Sequence, residues 1–111
     1  MKAVILAAGK GKRLIPLTES IPKVMIPVLG KPVLEHHIEK LARSGIREIY
    51  VNLHHLPEII TSYFKDGKEW NVNIHYSFEP ELLGTAGAIK KLQRELENNP
   101  FIVVCFDEYI L

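Results

Sequence analysis

Two short segments of this chain carry residues whose types and spacing suit phosphate chemistry. In the first, from Leu6 to Thr18, Gly9 and Gly11 alternate with Lys10, Lys12 and Arg13. Glycines let backbone N–H groups come close to an anion. The cations add local positive charge, and the planar guanidinium of Arg13 can meet a phosphate with two parallel hydrogen bonds. Two familiar phosphate-binding patterns do not fit. A dinucleotide fingerprint needs a third glycine where Leu14 stands, and the Gly-Lys-Ser/Thr of a P-loop is missing. The second segment contains Gly84, Thr85, Ala86 and Gly87, preceded by Glu79.

The elements that would hold these segments alternate in type. Lys2 to Ala8 is a continuous apolar run and reads as a strand buried on both faces. Residues 9–32 are rich in Gly and Pro and read as one long loop, a length that usually signals function. A helix is expected over Val33 to Ser44, with Pro32 at its start and Gly45 as its stop. A strand from Ile46 to Leu53, a helix from Leu56 to Phe64 and an edge-like strand from Val72 to Phe78 follow. A third helix from Thr85 to Leu96 and a fourth strand from Phe101 to Phe106 complete the series.

This order predicts an α/β fold: a three-layer, Rossmann-like parallel sheet of four strands with flanking helices. Ligands of such sheets bind beyond the carboxyl ends of the strands. The loop after Ala8, the loop after Phe78, and Asp107 all fall there.

Composition sets the outer bounds. With 111 residues the chain makes a single domain, 1–111. A net charge of +1 gives no general attraction to nucleic acid or to a membrane surface. The one cysteine, Cys105, excludes an intrachain disulfide and reads as a buried, inert thiol. No apolar window is long enough for a transmembrane helix, and no secretory leader is evident, so a cytoplasmic location is expected. The paired histidines, His36-His37 and His54-His55, lack the spacing of a helical zinc site and read as surface or packed residues.

The first segment, together with Pro22-Lys23 and the Gly-Thr-Ala-Gly-Ala run from Gly84 to Ala88, resembles the signature of the sugar-phosphate nucleotidyltransferase family. The resemblance covers essentially the whole chain, in order. It implies a reaction in which a sugar 1-phosphate oxygen attacks the α-phosphate of a nucleoside triphosphate and pyrophosphate leaves. It also implies roles. Leu6, Ala8, Gly9 and Gly11 would bind the nucleotide, Arg13 would stabilise the leaving pyrophosphate, and Lys23 would bridge phosphates at the reaction centre. Gly84 and Thr85 would line the base and ribose pocket, and Asp107 would hold Mg²⁺ through carboxylate oxygen. Glu79 stands where the family contacts the base. A carboxylate accepts two hydrogen bonds and so suits the N–H edge of guanine, which favours GTP; Glu81, two residues on, is a competing candidate for the same contact.

Two departures from the family pattern shape the expectation. Phe106 stands before Asp107 where the family has glycine, placing a ring where the substrate would approach. Family members also continue for at least as many residues again, through the sugar-binding part and a second metal-binding aspartate. The 111 residues are therefore expected to be the family's N-terminal, nucleotide-binding half, inactive alone. The alternatives are a catalytically dead nucleotide-binding or regulatory module, or a remnant used for assembly. Without later strands, the fourth strand becomes a bare sheet edge, and a homo-oligomer pairing through it is expected.

Overall fold

The computed structural model describes residues 1–8, 20–81, 83–97 and 100–105. Four parallel strands form one sheet: β1 (Lys2–Leu6), β4 (Glu48–Leu53), β5 (Asn73–Phe78) and β6 (Phe101–Cys105), in the order β5-β4-β1-β6. The apolar run of β1 is central, between β4 and β6, and its Ala3, Val4 and Ile5 have no exposed surface. A strand flanked on both edges and covered on both faces needs this unbroken apolar sequence. The more polar alternation of β5 fits its place at the sheet edge, as expected from the sequence.

Side chains alternate between two cores on opposite faces of the sheet. Ala3, Ile5, Ile49, Val51 and Leu53 face one core, with Leu34, Ile38 and Leu41 of α1 (Val33–Arg43) and Ile60 and Phe64 of α2 (Pro57–Phe64). Val4 and Tyr50 face the other, smaller core, with Leu92 and Leu96. The sheet thus has helices on both faces, as the alternating pattern predicts.

The stop of α1 follows the sequence closely. Gly45, at φ 88°, donates to the Ala42 carbonyl, and the Ile46 N–H reaches back to Leu41. This pair of bonds caps the last carbonyls of the helix, and its left-handed residue is best supplied by glycine.

Three expectations need correction. The stretch expected as unbroken loop contains a 3₁₀ turn, Lys23–Met25, and a small hairpin of β2 (Pro27–Val28) and β3 (Lys31–Pro32). Its turn is Leu29-Gly30, both at positive φ (53° and 83°). That is the twist a two-residue hairpin requires, but leucine is a poor carrier of it, so the sequence hides the turn. The expected third helix is two short ones, α3 (Gly84–Lys91) and α4 (Gln93–Leu96), separated at Leu92. Both Leu92 and Leu96 are buried, so the break leaves the apolar stripe on the sheet. Finally, the strands at residues 48 and 73 each begin later than their apolar patterns suggest.

Candidate nucleotide-binding site

All four strands run in the same direction, so Leu6, Leu53, Phe78 and Cys105 mark one end of the sheet. The first loop leaves from this end. Leu6 is half-buried, and Ala7 and Ala8 are buried beside the sheet. Gly9, Gly11 and Arg13 lie outside the described residues. Lys23 opens the 3₁₀ turn after buried Pro22 and is half-buried. Proline at this point fixes the entry backbone (φ −63°) and thereby the direction in which Lys23 leaves the chain.

The second segment starts at the same end. Gly84 is the first residue of α3 and has φ +73°, a conformation that favours glycine over L side chains. The Thr85 backbone belongs to α3, and its side chain lies outside what the structure describes. Asp107 and Phe106 lie outside the described residues, as does the Cys105 thiol. Among the described residues no group of His, Cys, Asp or Glu side chains could hold a metal ion.

Between the two segments sits a polar network that the sequence reading did not single out. Asn52, near the end of β4, is buried, and its Oδ1 accepts a hydrogen bond from the Ala7 N–H at 2.5 Å. Its Nδ2 donates to Glu79 Oε2 at 2.9 Å. The other carboxylate oxygen, Oε1, accepts from the Leu83 N–H at 3.2 Å. The Glu79 backbone is bonded too: its N–H donates to the Leu53 carbonyl at 2.7 Å, and its carbonyl oxygen lies 2.7 Å from His54 Nδ1. Glu79 itself is only 1% exposed. A charge removed from water to this degree needs such partners, because an unpaired one would be very costly.

The arrangement brings together Ala7, Asn52 and the connection that holds Glu79 and Leu83, three segments of the chain. It also shows Glu79 turned toward Asn52 and Leu83, with both oxygens engaged. A signal for Asn52 was present in the sequence. It is an uncharged polar residue inside the apolar run of a strand, and such residues are kept where a partner awaits them.

A family model described as nucleotidyl transferase matches residues 2–111. The chain belongs to that family. It is 48% identical to a UTP–glucose-1-phosphate uridylyltransferase of Synechocystis sp., over 99% of this chain and 31% of that protein. It is 41% identical to mannose-1-phosphate guanyltransferase 2 of Candida glabrata, over 96% of this chain and 30% of that one. Among solved structures, it is similar to HddC from Yersinia pseudotuberculosis complexed with GMP-PN. The TM-score is 0.81 and the identity 35%, over 94% of this chain and 46% of the other. The chain thus spans about a third of the length of these curated relatives. The family and its parallel-sheet fold agree with those expected from the sequence.

Proposed function

We propose that this nucleotidyltransferase-family chain binds a nucleoside triphosphate at the carboxyl ends of β1, β4 and β5, for transfer of its nucleotidyl group to a sugar 1-phosphate. The observation that supports this best is the junction of the two motif segments, with Ala7 and Leu83 joined through one pair of side chains. A ligand that touches both segments needs them at a fixed separation.

In the proposed reaction an oxygen of the sugar 1-phosphate attacks the α-phosphorus. A new P–O bond forms, the bond from the α-phosphorus to the bridging oxygen breaks, and pyrophosphate leaves. Gly9 and Gly11 would present backbone N–H groups to the phosphates, with Leu6 and Ala8 beside the nucleotide. Arg13 would offset the charge that grows on the pyrophosphate, and Lys23 would contact the phosphates at the centre. Gly84 and Thr85 would line the base and ribose. Asp107 would hold Mg²⁺, which would screen the phosphate charges.

The base is proposed to be guanine, on the carboxylate at position 79 and on the guanyltransferase relatives. Uridine is the second reading. The name of the Synechocystis relative favours it, and so does the engagement of both Glu79 oxygens within the protein. The 111 residues alone are proposed to bind nucleotide without sustained turnover, since they span 31% of that relative. A nucleotide-binding or regulatory module is the alternative at the level of activity. No described helix is long and apolar enough to cross a membrane, and a cytoplasmic location and a homo-oligomer formed through β6 are part of the proposal.

Isothermal titration of the chain with GTP, UTP and dTTP tests this reading, with Arg13→Ala as the control. Binding of at least one triphosphate is expected, with a loss of about 1–3 kcal/mol in the variant, the range for a charge-assisted hydrogen bond. Absence of binding to all three would remove the proposal.

A further inference from the structure

The hydrogen bonds around Asn52 form a relay with a backbone donor at each end. At one end the Ala7 N–H needs an acceptor, and Asn52 Oδ1 supplies it. At the other the Leu83 N–H needs an acceptor, and Glu79 Oε1 supplies it. In the middle one side chain must donate and the other accept, as Asn52 Nδ2 and Glu79 Oε2 do.

This geometry restricts the chemistry of the pair. Two amides cannot satisfy it, because with both oxygens facing the backbone donors the two NH₂ groups meet. Turning either amide sets its NH₂ against a backbone N–H. Two carboxylates place oxygen against oxygen, with like charges at hydrogen-bond distance. One amide and one carboxylate satisfy every atom, and no described buried side-chain polar atom lacks a partner. The same logic assigns the orientation of the Asn52 amide.

We infer that Asn52 and Glu79 are a positioning pair, which couples the root of the first loop at Ala7 to the start of α3 at Leu83. The acid at position 79 is required by this relay, and it need not read the base. The functional part rests on the nucleotide-binding reading above. A nucleotide that contacts both segments meets them at a separation set by two buried side chains. Neither side chain is at the surface: Asn52 is 5% exposed and Glu79 is 1% exposed.

The inference predicts an unusual rescue. Glu79→Gln preserves shape but puts two donors face to face somewhere in the relay. Asn52→Asp preserves shape but sets two carboxylates together. The double variant, Asn52→Asp with Glu79→Gln, reverses the central bond and restores every partner: Asp accepts from Ala7 and from the new amide, whose oxygen accepts from Leu83. Net charge is unchanged.

Amide hydrogen exchange at Ala7 and Leu83, read by NMR on the 111-residue chain, tests the relay without any ligand. Each single variant is expected to speed exchange at one or both amides by on the order of tenfold, Glu79→Gln because two donors meet and Asn52→Asp because two like-charged carboxylates push the relay apart. The double variant is expected to return to within about threefold of the original chain. A double variant no better than the singles overturns the inference. Should a single variant fail to fold, folding of the double supports the relay and its failure overturns it. Tripolyphosphate, which carries no base, tests the coupling. It is expected to shift the Leu83 amide signal in the original chain and the double variant, and to do so weakly or not at all in the singles. An equal shift in all four proteins overturns the coupling. Competition between GTP and UTP then separates the roles of the acid: a ranking shared by the original chain and the double variant supports positioning, and a changed ranking shows that the acid reads the base. If the original chain binds no nucleoside triphosphate, the proposed function fails while the exchange data still decide the relay.

Discussion

A Cβ added to Gly87 would lie 2.8 Å from the Cβ of Leu83, four residues back and just before α3. Real side chains do not approach so closely, and the atom it meets is near the backbone and cannot swing away. Leu83 is also the residue whose N–H binds Glu79. The glycine therefore protects the placement of the Glu79 relay as well as the packing of the helix.

Gly87→Ala is accordingly expected to destabilise the chain, although alanine is the better helix former by about 1 kcal/mol. Forcing an extra methyl into a filled space costs roughly 1–3 kcal/mol, which outweighs that gain. Urea denaturation checks the sign. Equal or greater stability of the variant would show that Leu83 moves aside freely.

A second prediction concerns α1 and α2. The Tyr63 hydroxyl donates to Glu35 Oε1 at 2.5 Å, joining the two helices, and Glu35 is buried. This bond to the carboxylate, with burial and other nearby acids adding to it, pushes the Tyr63 pKa up to about 12. Tyr76 is also pushed up to about 12, chiefly by burial and then by Asp66. A group that holds its proton more tightly when folded contributes stability that is full below its unfolded pKa. That stability is lost as pH rises through the folded value. The ultraviolet titration of the chain should therefore include late contributions from Tyr63 and Tyr76, and Tyr63→Phe should remove its own. The same variant should lose about 1–2 kcal/mol at neutral pH, because a buried carboxylate loses a donor. An unchanged titration above pH 11 would disprove the assignment.

The strands carry a pH dependence of the opposite sign. Glu48 on β4 accepts from Asn73 Nδ2 at 2.6 Å and lies 2.8 Å from His75 Nε2 on β5. The Asn73 hydrogen bond first, and His75 next, hold the Glu48 carboxyl below its ordinary value. Folding therefore favours the ionised form. This contribution is present above the unfolded pKa, about 4.3 for glutamate, and is lost as pH falls through the lower folded value. Thermal melts of the original chain and Glu48→Gln, from about pH 7 down to about 3, should show a gap that narrows only below that unfolded value. The Glu48 side chain is 36% exposed, so the gap should also shrink with added salt. A gap that stays constant to the lowest pH would rule out this origin.

Much of the fold is legible in the sequence because its signals are local. The apolar runs 2–8 and 101–106 and the amphipathic spacing of Val33, Leu34, Ile38 and Leu41 each depend on near neighbours. Gly45 announces its own left-handed turn. The features that escaped depend on distant partners or atypical residues. Leu29 occupies a hairpin position that Asn or Gly would have signalled. Leu92 interrupts a helix whose apolar period continues across the break. Asn52 bonds groups 45 residues before it and 27 after it, and nothing near it in sequence shows either partner. The sequence presents Glu79 as an acid ready for a base. Its engagement with Asn52 and Leu83 becomes visible only when β4 and the loop after β5 come together. The loop from Gly9 to Arg13 and Asp107 lie outside the described residues, and their roles are part of the proposal.

The last prediction concerns β6, which is an edge strand among the described residues. Among the described residues β6 pairs only with β1. The Lys2 N–H donates to the Pro100 carbonyl, and Lys2 stands opposite Phe101. In a parallel ladder this places the N–H groups of Ile102 and Val104 toward β1, and those of Phe101, Val103 and Cys105 on the side away from β1. Phe101 and Ile102 are 37% and 39% exposed, and a groove of about 490 Å³ lined by Ile89, Leu96 and Phe101 among others lies at the amino-terminal end of the strand. An edge with neither charge nor proline, beside an apolar groove, invites another strand. The 111-residue chain is therefore expected to dimerise about a two-fold axis, with β6 pairing against β6. Val103→Pro is the selective test. It removes a donor that faces outward and leaves the bonds to β1 in place, so the fold should persist while the dimer is lost. Sedimentation velocity at tens of micromolar reads both states. A monomeric original chain sinks the prediction outright, and a dimer that survives the proline places the contact on another surface.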